Sequence, residues 1–249
     1  MDRWLSKTAV VTGASAGIGA AICVQLANSG FRVVGLARRA HLVDVSFSLV
    51  FFIQYYIASL RCDVANAEEI VAAFRIVEES FGGTHVLVNN AGVILPGQIT
   101  DSPINCEDII STIDINVKGL ILCTRQAVAS MKKHNFDGHI ININSLAGHY
   151  VPLAPNFNVY SASKYAITAF TQALLNELAH FKSNIKVTSI SPGLVRTQMV
   201  ERDGVTVDIP MLEPGDIADS VRYVLATPPH INVSISISLG ISIKRLDRY

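Results

Sequence analysis

Short apolar runs alternate with longer stretches of helical spacing along this chain. Thr8–Val11 is a continuous strand-like run that ends in a glycine-rich turn, and Gly17–Ser29 follows with helical spacing until Gly30 stops it. Arg32–Leu36 reads as the second strand. Asn66, with Glu69 three residues on, is a variant of the capping box, and it opens a helix whose Ile70, Phe74 and Val77 share one face. His85–Val88 is a strand, followed by Asn89-Asn90-Ala91-Gly92. Helical spacing covers about 105–133 and 160–180 and returns at Ile217–Ala226. His139–Ile143 and Ile185–Ile190 read as strands. Strand and helix in alternation predict right-handed βαβ crossovers, and so an α/β fold with a doubly wound parallel sheet in three α/β/α layers. No internal repeat and no linker-like stretch divides residues 1–249, which points to one domain.

Two segments depart from this pattern. Residues 40–61 carry an apolar run, 42–60, whose one charge is Asp44. That is near the length of a membrane span. Three readings fit it: an unusually apolar helix and strand, a membrane-associating insert, or a locally disordered stretch. A gene-model error is one cause of such composition. A span across the bilayer would separate strands that must pair, so the membrane reading ranks below the first. In the tail, Ile231, Val233, Ile235, Ile237, Leu239, Ile241 and Ile243 alternate with Asn, Ser and Gly, a period-two signal for a last strand. A long apolar edge is adhesive, so packing against a second subunit is also open.

Charge narrows the partners. Lys+Arg and Asp+Glu number 20 each, giving a formal charge of zero. Nucleic-acid binding rests on clustered Lys and Arg, and the chain has no basic run. Apolar residues make up 50%, which excludes a disordered chain. Cys23, Cys62, Cys106 and Cys123 have neither zinc-site spacing nor the density of a disulfide framework, so a reducing compartment and no structural metal are expected. The first residues lack the apolar core of a signal peptide. A cytoplasmic location is expected, and the sequon Asn232-Val233-Ser234 is then idle.

The chemistry lies in three motifs. Thr12-Gly13-Ala14-Ser15-Ala16-Gly17-Ile18-Gly19 follows the first strand and opens a helix. Glycines there let the backbone turn sharply and approach a pyrophosphate, at which the helix N-terminus points. This is the Rossmann-like arrangement, with G-x-x-x-G-x-G spacing. Arg38-Arg39 ends the second strand, where a site for NAD(H) carries a carboxylate. Two guanidiniums suit a 2′-phosphate instead, so NADP(H) is expected over NAD(H). Tyr160 and Lys164, four apart on a helix, project from one face. A nearby cation is expected to lower the phenol's pKa, making a general acid/base for an alcohol/carbonyl pair. Ser145, after the 139–143 strand, can hydrogen-bond the substrate oxygen.

With Asn89–Gly92, Asn116 and Pro192-Gly193 added in order, the chain resembles a short-chain dehydrogenase/reductase of the short, one-domain type. Within that family it is similar to the insect farnesol-dehydrogenase and vertebrate member-11 groups, through Met1-Asp2-Arg3-Trp4, Gly35–Arg39, Asn142–Ser145 and Ala226–His230. The resemblance implies roles. Tyr160 is the acid/base, Lys164 holds the nicotinamide ribose, Ser145 orients the substrate, and Asn116 holds a water in a proton relay through Lys164. Gly13, Ser15, Gly17, Ile18 and Gly19 cradle the pyrophosphate, and Arg38 and Arg39 face the 2′-phosphate. Asp63 and Val64 hold the adenine, Asn90 lies against its ribose, and Gly193, Val195 and Thr197 line the nicotinamide side. For Asn90 and Asn116 a mainly structural role remains open.

The substrate loops, Val93–Pro96, Tyr150–Pro155 and Met199-Val200, hold no fixed cation, although Arg196 and Arg202 lie nearby. An apolar alcohol or carbonyl fits such a lining. The resemblance adds isoprenoid alcohols such as farnesol, or steroids, as candidates. The rival is a cofactor-binding pseudoenzyme or a non-functional product damaged at 40–61. A sugar epimerase shares Tyr-x-x-x-Lys but needs a larger substrate domain. The long 105–133 helix and the stripe Ile167, Phe170, Leu174 and Leu178 suggest a homodimer or homotetramer, unless the stripe simply packs on the sheet.

Overall fold

Strands covered on both faces need apolar side chains at nearly every position, and runs of this kind, such as Thr8–Thr12 and Arg32–Ala37, form inner strands of the sheet. The computed structural model describes residues 1–42, 56–95, 99–100, 106–152, 157–201 and 210–240. Its strands are β1 (Thr8–Thr12), β2 (Arg32–Ala37), β3 (Tyr56–Arg61), β4 (Val86–Asn89), β5 (His139–Ile143), β6 (Lys186–Pro192) and β7 (Ile235–Ser238). They pair in the order β3-β2-β1-β4-β5-β6-β7, every pair parallel. The helices are α1 (Gly17–Asn28), α2 (Ala67–Phe81), α3 (Cys106–Ile113), α4 (Leu120–Lys133), α5 (Asn158–His180), α6 (Gln198–Glu201) and α7 (Pro214–Ala226). Successive strand residues feed opposite cores. Val11 and Val33 pack with Ile22 and Leu26 of α1 and Val221 of α7. Val10 and Val34 pack with Phe74 of α2, Met131 of α4 and Leu174 of α5. The strand order reverses between β1 and β4, which opens a crevice at their carboxyl ends.

Local contacts refine the sequence reading. The capping box at Asn66 is half formed. Its Oδ1 accepts from Glu68 and Glu69 N–H at 2.9 and 3.2 Å, but Glu69 accepts from Asp63 N–H at 3.0 Å instead of returning to Asn66. A full box caps α7, between Glu213 and Asp216. The expected long helix is interrupted: a π-helical turn, Asp114–Gly119, joins α3 to α4.

The stripe on α5 is turned inward. Ile167, Leu174 and Leu178 are buried, and Leu174 and Leu178 with Phe170 pack on the sheet. It gives no support to an intersubunit contact. Of the anomalous segment, Tyr56–Arg61 is strand, in register with the whole of β2; residues 43–55, on which the helical and membrane readings fall, lie outside the described residues. In the tail the strand spans only Ile235–Ser238, and Ile241 and Ile243 lie outside the described residues. Ser238 approaches Ser220 of α7 at 3.4 Å, while Ile235, Ile237 and Leu239 on the alternate face are about half exposed, at 48%, 51% and 53%.

Candidate active site

The crevice is built around the end of β1. Thr12 Oγ1 accepts from the N–H groups of Asn90 and Ala91, at 3.0 Å each. Asn90 Nδ2 returns to the carbonyls of Thr12 and Gly13 at 3.0 and 3.2 Å. These bonds lock the glycine turn to the end of β4. Gly13 and Gly17 have φ of 66° and 55°, a region that other L-residues rarely adopt. A Cβ on Gly19 would lie 2.3 Å from Gly13 O, so the turn requires glycine there. Ser15 is half-buried within this turn, and Ile18 anchors the start of α1 in the core.

The N-cap of α1, Ala16, has no side-chain cap, and the first turn holds no acid. Its N-terminal N–H groups meet no competing carboxylate, as an anion site requires. The loop after β6 closes the far side. Gly193 N–H donates to Ser238 O at 2.7 Å, Val195 is buried, and a Cβ on Gly17 would touch Thr197 Cγ2 at 3.2 Å.

At the other end, Arg38 and Arg39 are exposed, and their guanidiniums make no hydrogen bond or ion pair among the described residues. Asp63 Oδ1 accepts from Ala65 N–H at 3.0 Å, shaping the turn after β3, and Val64 is buried beneath it. The glycine cradle, the uncapped helix end and the paired guanidiniums fit a phosphate-bearing dinucleotide. Among the described residues, no group of three His, Cys, Asp or Glu could hold a metal ion.

The reactive groups meet where β5 ends and α5 begins. Lys164 is buried, and its Nζ donates to Ile143 O at 3.1 Å. It lies 5.7 Å from the centroid of the Tyr160 ring. Ser145 accepts from Ala147 N–H at 3.1 Å and hydrogen-bonds the Tyr160 phenol. Burial pushes the phenol above its ordinary value, with the Ser145 bond pulling the other way. This corrects the lowering expected from Lys164. Burial also weakens Lys164 as a cation, lowering it to about 8, so desolvation outweighs the charge pair in the protein alone.

Asn116 sits in the π-helical turn, where such departures from the α-helix often mark functional sites. Its side chain is fully engaged. Oδ1 accepts from Val93 N–H at 2.8 Å, and Nδ2 donates to Val93 O and Ser163 Oγ at 3.0 Å each. The structure therefore brings Asn116, Ser145, Tyr160 and Lys164 together, with the amide of Asn116 acting as a clamp. Likewise the amide of Asn90 holds the glycine turn. The parts played by Thr12 and Ser163 carry no sequence signal, because their partners are remote in the chain.

The family model for short chain dehydrogenases matches residues 7–206. Farnesol dehydrogenase of Aedes aegypti is 47% identical over 234 residues, covering 94% of this chain and 95% of that protein. Dehydrogenase/reductase SDR family member 11 of Mus musculus is 40% identical over 246 residues, 94% of each. Among solved structures, the closed form of serine dehydrogenase complexed with NADP+ superposes with a TM-score of 0.82 at 28% identity, over 96% of this chain and 99% of that one. A short-chain dehydrogenase from Burkholderia cenocepacia in complex with NADP gives 0.81 at 28%, over 94% and 97%. The chain belongs to the short-chain dehydrogenase/reductase family of oxidoreductases.

Proposed function

We propose that the protein is an NADP(H)-dependent oxidoreductase, one domain over residues 1–249, that interconverts an apolar alcohol and its aldehyde or ketone. The observation that carries this is the Ser145–Tyr160–Lys164 cluster beside a cradle for a phosphate-bearing dinucleotide. When bound, the nicotinamide supplies or takes up the hydride. Gly13, Ser15, Gly17, Ile18 and Gly19 would hold its pyrophosphate, Asp63, Val64 and Asn90 the adenosine side, and Gly193, Val195 and Thr197 the nicotinamide side. The guanidiniums of Arg38 and Arg39, exposed and without partners among the described residues, support a 2′-phosphate and hence NADP(H) over NAD(H).

Tyr160 Oη gives its proton to the carbonyl oxygen in reduction and takes it back in oxidation. Ser145 Oγ hydrogen-bonds the same oxygen and fixes it within reach of the phenol. Lys164, close to Tyr160 and desolvated, favours the phenolate that proton donation leaves behind. Val93, Ile94, Leu95, Tyr150, Val151 and Met199 offer a lining without fixed charge. An isoprenoid alcohol such as farnesol, or a steroid-like carbonyl, suits it, and the name of the mosquito relative agrees with the first.

The working form in this reading is a cytosolic homodimer or homotetramer. Its support is the exposure of the large apolar side chains Ile110, Ile113, Ile121 and Tyr165 on α3, α4 and α5, not the buried stripe. Among the described residues no helix is long and apolar enough to cross a membrane.

NADPH oxidation over a panel of aldehydes, ketones and steroids tests the activity, with Tyr160→Phe as control. The variant should bind NADPH normally and lose about 10²–10⁴-fold in turnover, the usual contribution of a general acid/base. A wild-type protein that binds NADPH but turns over no substrate would favour the cofactor-binding pseudoenzyme.

A further inference from the structure

His149 directly follows a short 3-10 helical turn, Leu146–Gly148, past the end of β5. Its Nε2 is 2.9 Å from Ser191 Oγ. Ser191 is fully buried in β6, immediately before Pro192-Gly193. The contact therefore joins two turns that do different work. One, Ser145–Gly148, carries the hydroxyl that touches Tyr160. The other begins at Pro192-Gly193 and leads to Val195 and Thr197.

The Ser145 turn is held from the opposite side as well. Thr168 Oγ1, on α5 one turn beyond Lys164, donates to Gly148 O at 2.9 Å. It accepts from Asn144 Nδ2 at 2.9 Å. Gly148 lies so close that a Cβ there would meet Lys164 O at 2.7 Å and Asn144 Nδ2 at 2.7 Å. The turn is thus bracketed between the helix bearing Tyr160 and Lys164 and the strand leading to Gly193. The α5 side of the bracket has several contacts. On the β6 side, Asn144 N–H donates to Ile190 O at 2.7 Å, but this bond sits before Ser145. Past it, His149 provides the side-chain link.

We propose that His149 is a positioning residue that sets the nicotinamide-side turn against the proton-transfer group. This rests on the cofactor reading above and extends it. The half-buried ring lies outside both strands, whose pairing runs from His139–Lys186 to Ile143–Ile190 without it. Removing the ring breaks none of that ladder's hydrogen bonds, although it takes the partner from the buried Ser191 hydroxyl, which Ser191→Ala removes along with the bond. What changes is the placement of Gly193 relative to Ser145. Misplacement by about 1 Å can cost ~10²-fold in rate, so a looser link should cost about tenfold.

The test compares His149→Leu, His149→Gln and Ser191→Ala with wild type. Binding of NADPH and of 2′,5′-ADP, which lacks the nicotinamide half, is measured by titration, alongside kcat and melting temperature. His149→Leu and Ser191→Ala should each weaken NADPH several-fold and lower kcat about tenfold, with 2′,5′-ADP affinity unchanged. The double variant should be no worse than the worse single one, because both remove one bond. His149→Gln, which keeps a polar nitrogen or oxygen within reach, should recover most of the loss. Equal weakening of NADPH and 2′,5′-ADP together with a lowered melting temperature would make His149 a merely structural residue and overturn the proposal. So would NADPH affinity and kcat at wild-type levels in His149→Leu. A wild-type protein that binds neither ligand would instead sink the cofactor reading itself, and this proposal with it.

Discussion

Replacing Asn116 by alanine separates a clamp from a relay. The side chain is 1% exposed and bonded to both polar groups of the Val93 backbone and to Ser163 Oγ. Alanine would strip three hydrogen bonds at once. Ser163 Oγ keeps its bond to Tyr160 O at 2.7 Å, so it suffers least. Val93 N–H and C=O are left without partners in a half-buried strip between β4 and the π-helical turn. A buried polar group left unsatisfied costs about 1–3 kcal/mol, and water reaches this strip in part, so the loss should be about 3 kcal/mol. For a chain of this length each kcal/mol moves Tm by about 2–4 °C, which gives a fall of ~6–12 °C. Thermal denaturation of the protein without cofactor measures it free of any binding effect. Turnover should fall as well, since Val93 belongs to the proposed substrate lining. If turnover collapses while Tm stays within about 2 °C of wild type, on the same scale, the amide acts on the reaction and not on the scaffold.

Arg38→Ala should weaken NADPH by about 1.5–3 kcal/mol, the range for hydrogen bonds to charged groups, and leave NADH nearly unaffected; equal losses for the two in parallel titrations would remove Arg38 as the selector. Glu78 gives an acid-stability test. Burial raises its carboxyl, but bonds from Lys133, Ser130 and His134 outweigh this and hold it down at about 2. A depressed carboxyl stabilises the fold fully above its unfolded pKa and loses that contribution as pH falls toward the folded value. Glu78→Gln should therefore flatten stability between about pH 5 and 2, by ~1 kcal/mol once screening of the exposed Lys133 and His134 is allowed for; parallel urea curves for variant and wild type across this range would refute it. Light scattering should give two or four times the 26.9 kDa of the chain, with Ile110→Glu shifting it toward one; a wild-type monomer at micromolar concentration would rule out the oligomer.

What the sequence made legible is what depends on neighbours in the chain. The strands, the glycine turn and the shared face of Tyr160 and Lys164 follow from periods of two and 3.6 and from residues a few positions apart. The rest depends on remote partners. Asn90 meets Thr12 across 78 positions, and Asn116 meets Val93 across 23; no spacing encodes either contact. Periodicity also identifies a face without saying what covers it. Ile167, Leu174 and Leu178 have the spacing of an interface stripe and lie against the sheet, while Ile235 and Ile237 have the spacing of a core strand and stand half in solvent. The pKa of Tyr160 went the other way for a related reason. Sequence shows that a cation is near but not that both groups are desolvated, and desolvation decides the sign.

The division of labour among polar side chains supports the functional reading more than any one contact does. Thr12, Asn90, Asn116 and Thr168 all lie near the crevice, and each hydrogen-bonds backbone of the glycine turn, the Val93 strip or the Ser145 turn, with the Asn144 amide donating to Thr168 Oγ1 behind the last of these. A buried polar network that served only the fold would be costly to retain where apolar residues could pack. Here each member holds a segment that needs a fixed backbone position to face a ligand. Against that frame, Ser145, Tyr160 and Lys164 form a small set aimed at one another, with a hydroxyl and a phenol in contact and an ammonium close to its neutral form near pH 8. Groups of this kind can exchange a proton with a substrate oxygen, and among the described residues of the neighbouring loops Val93, Ile94, Leu95, Tyr150 and Val151 carry no fixed charge. Under the proposed reading the two halves of the arrangement serve an oxidoreductase of alcohols and carbonyls: a fixed backbone to face the dinucleotide, and a desolvated proton donor to face the substrate oxygen.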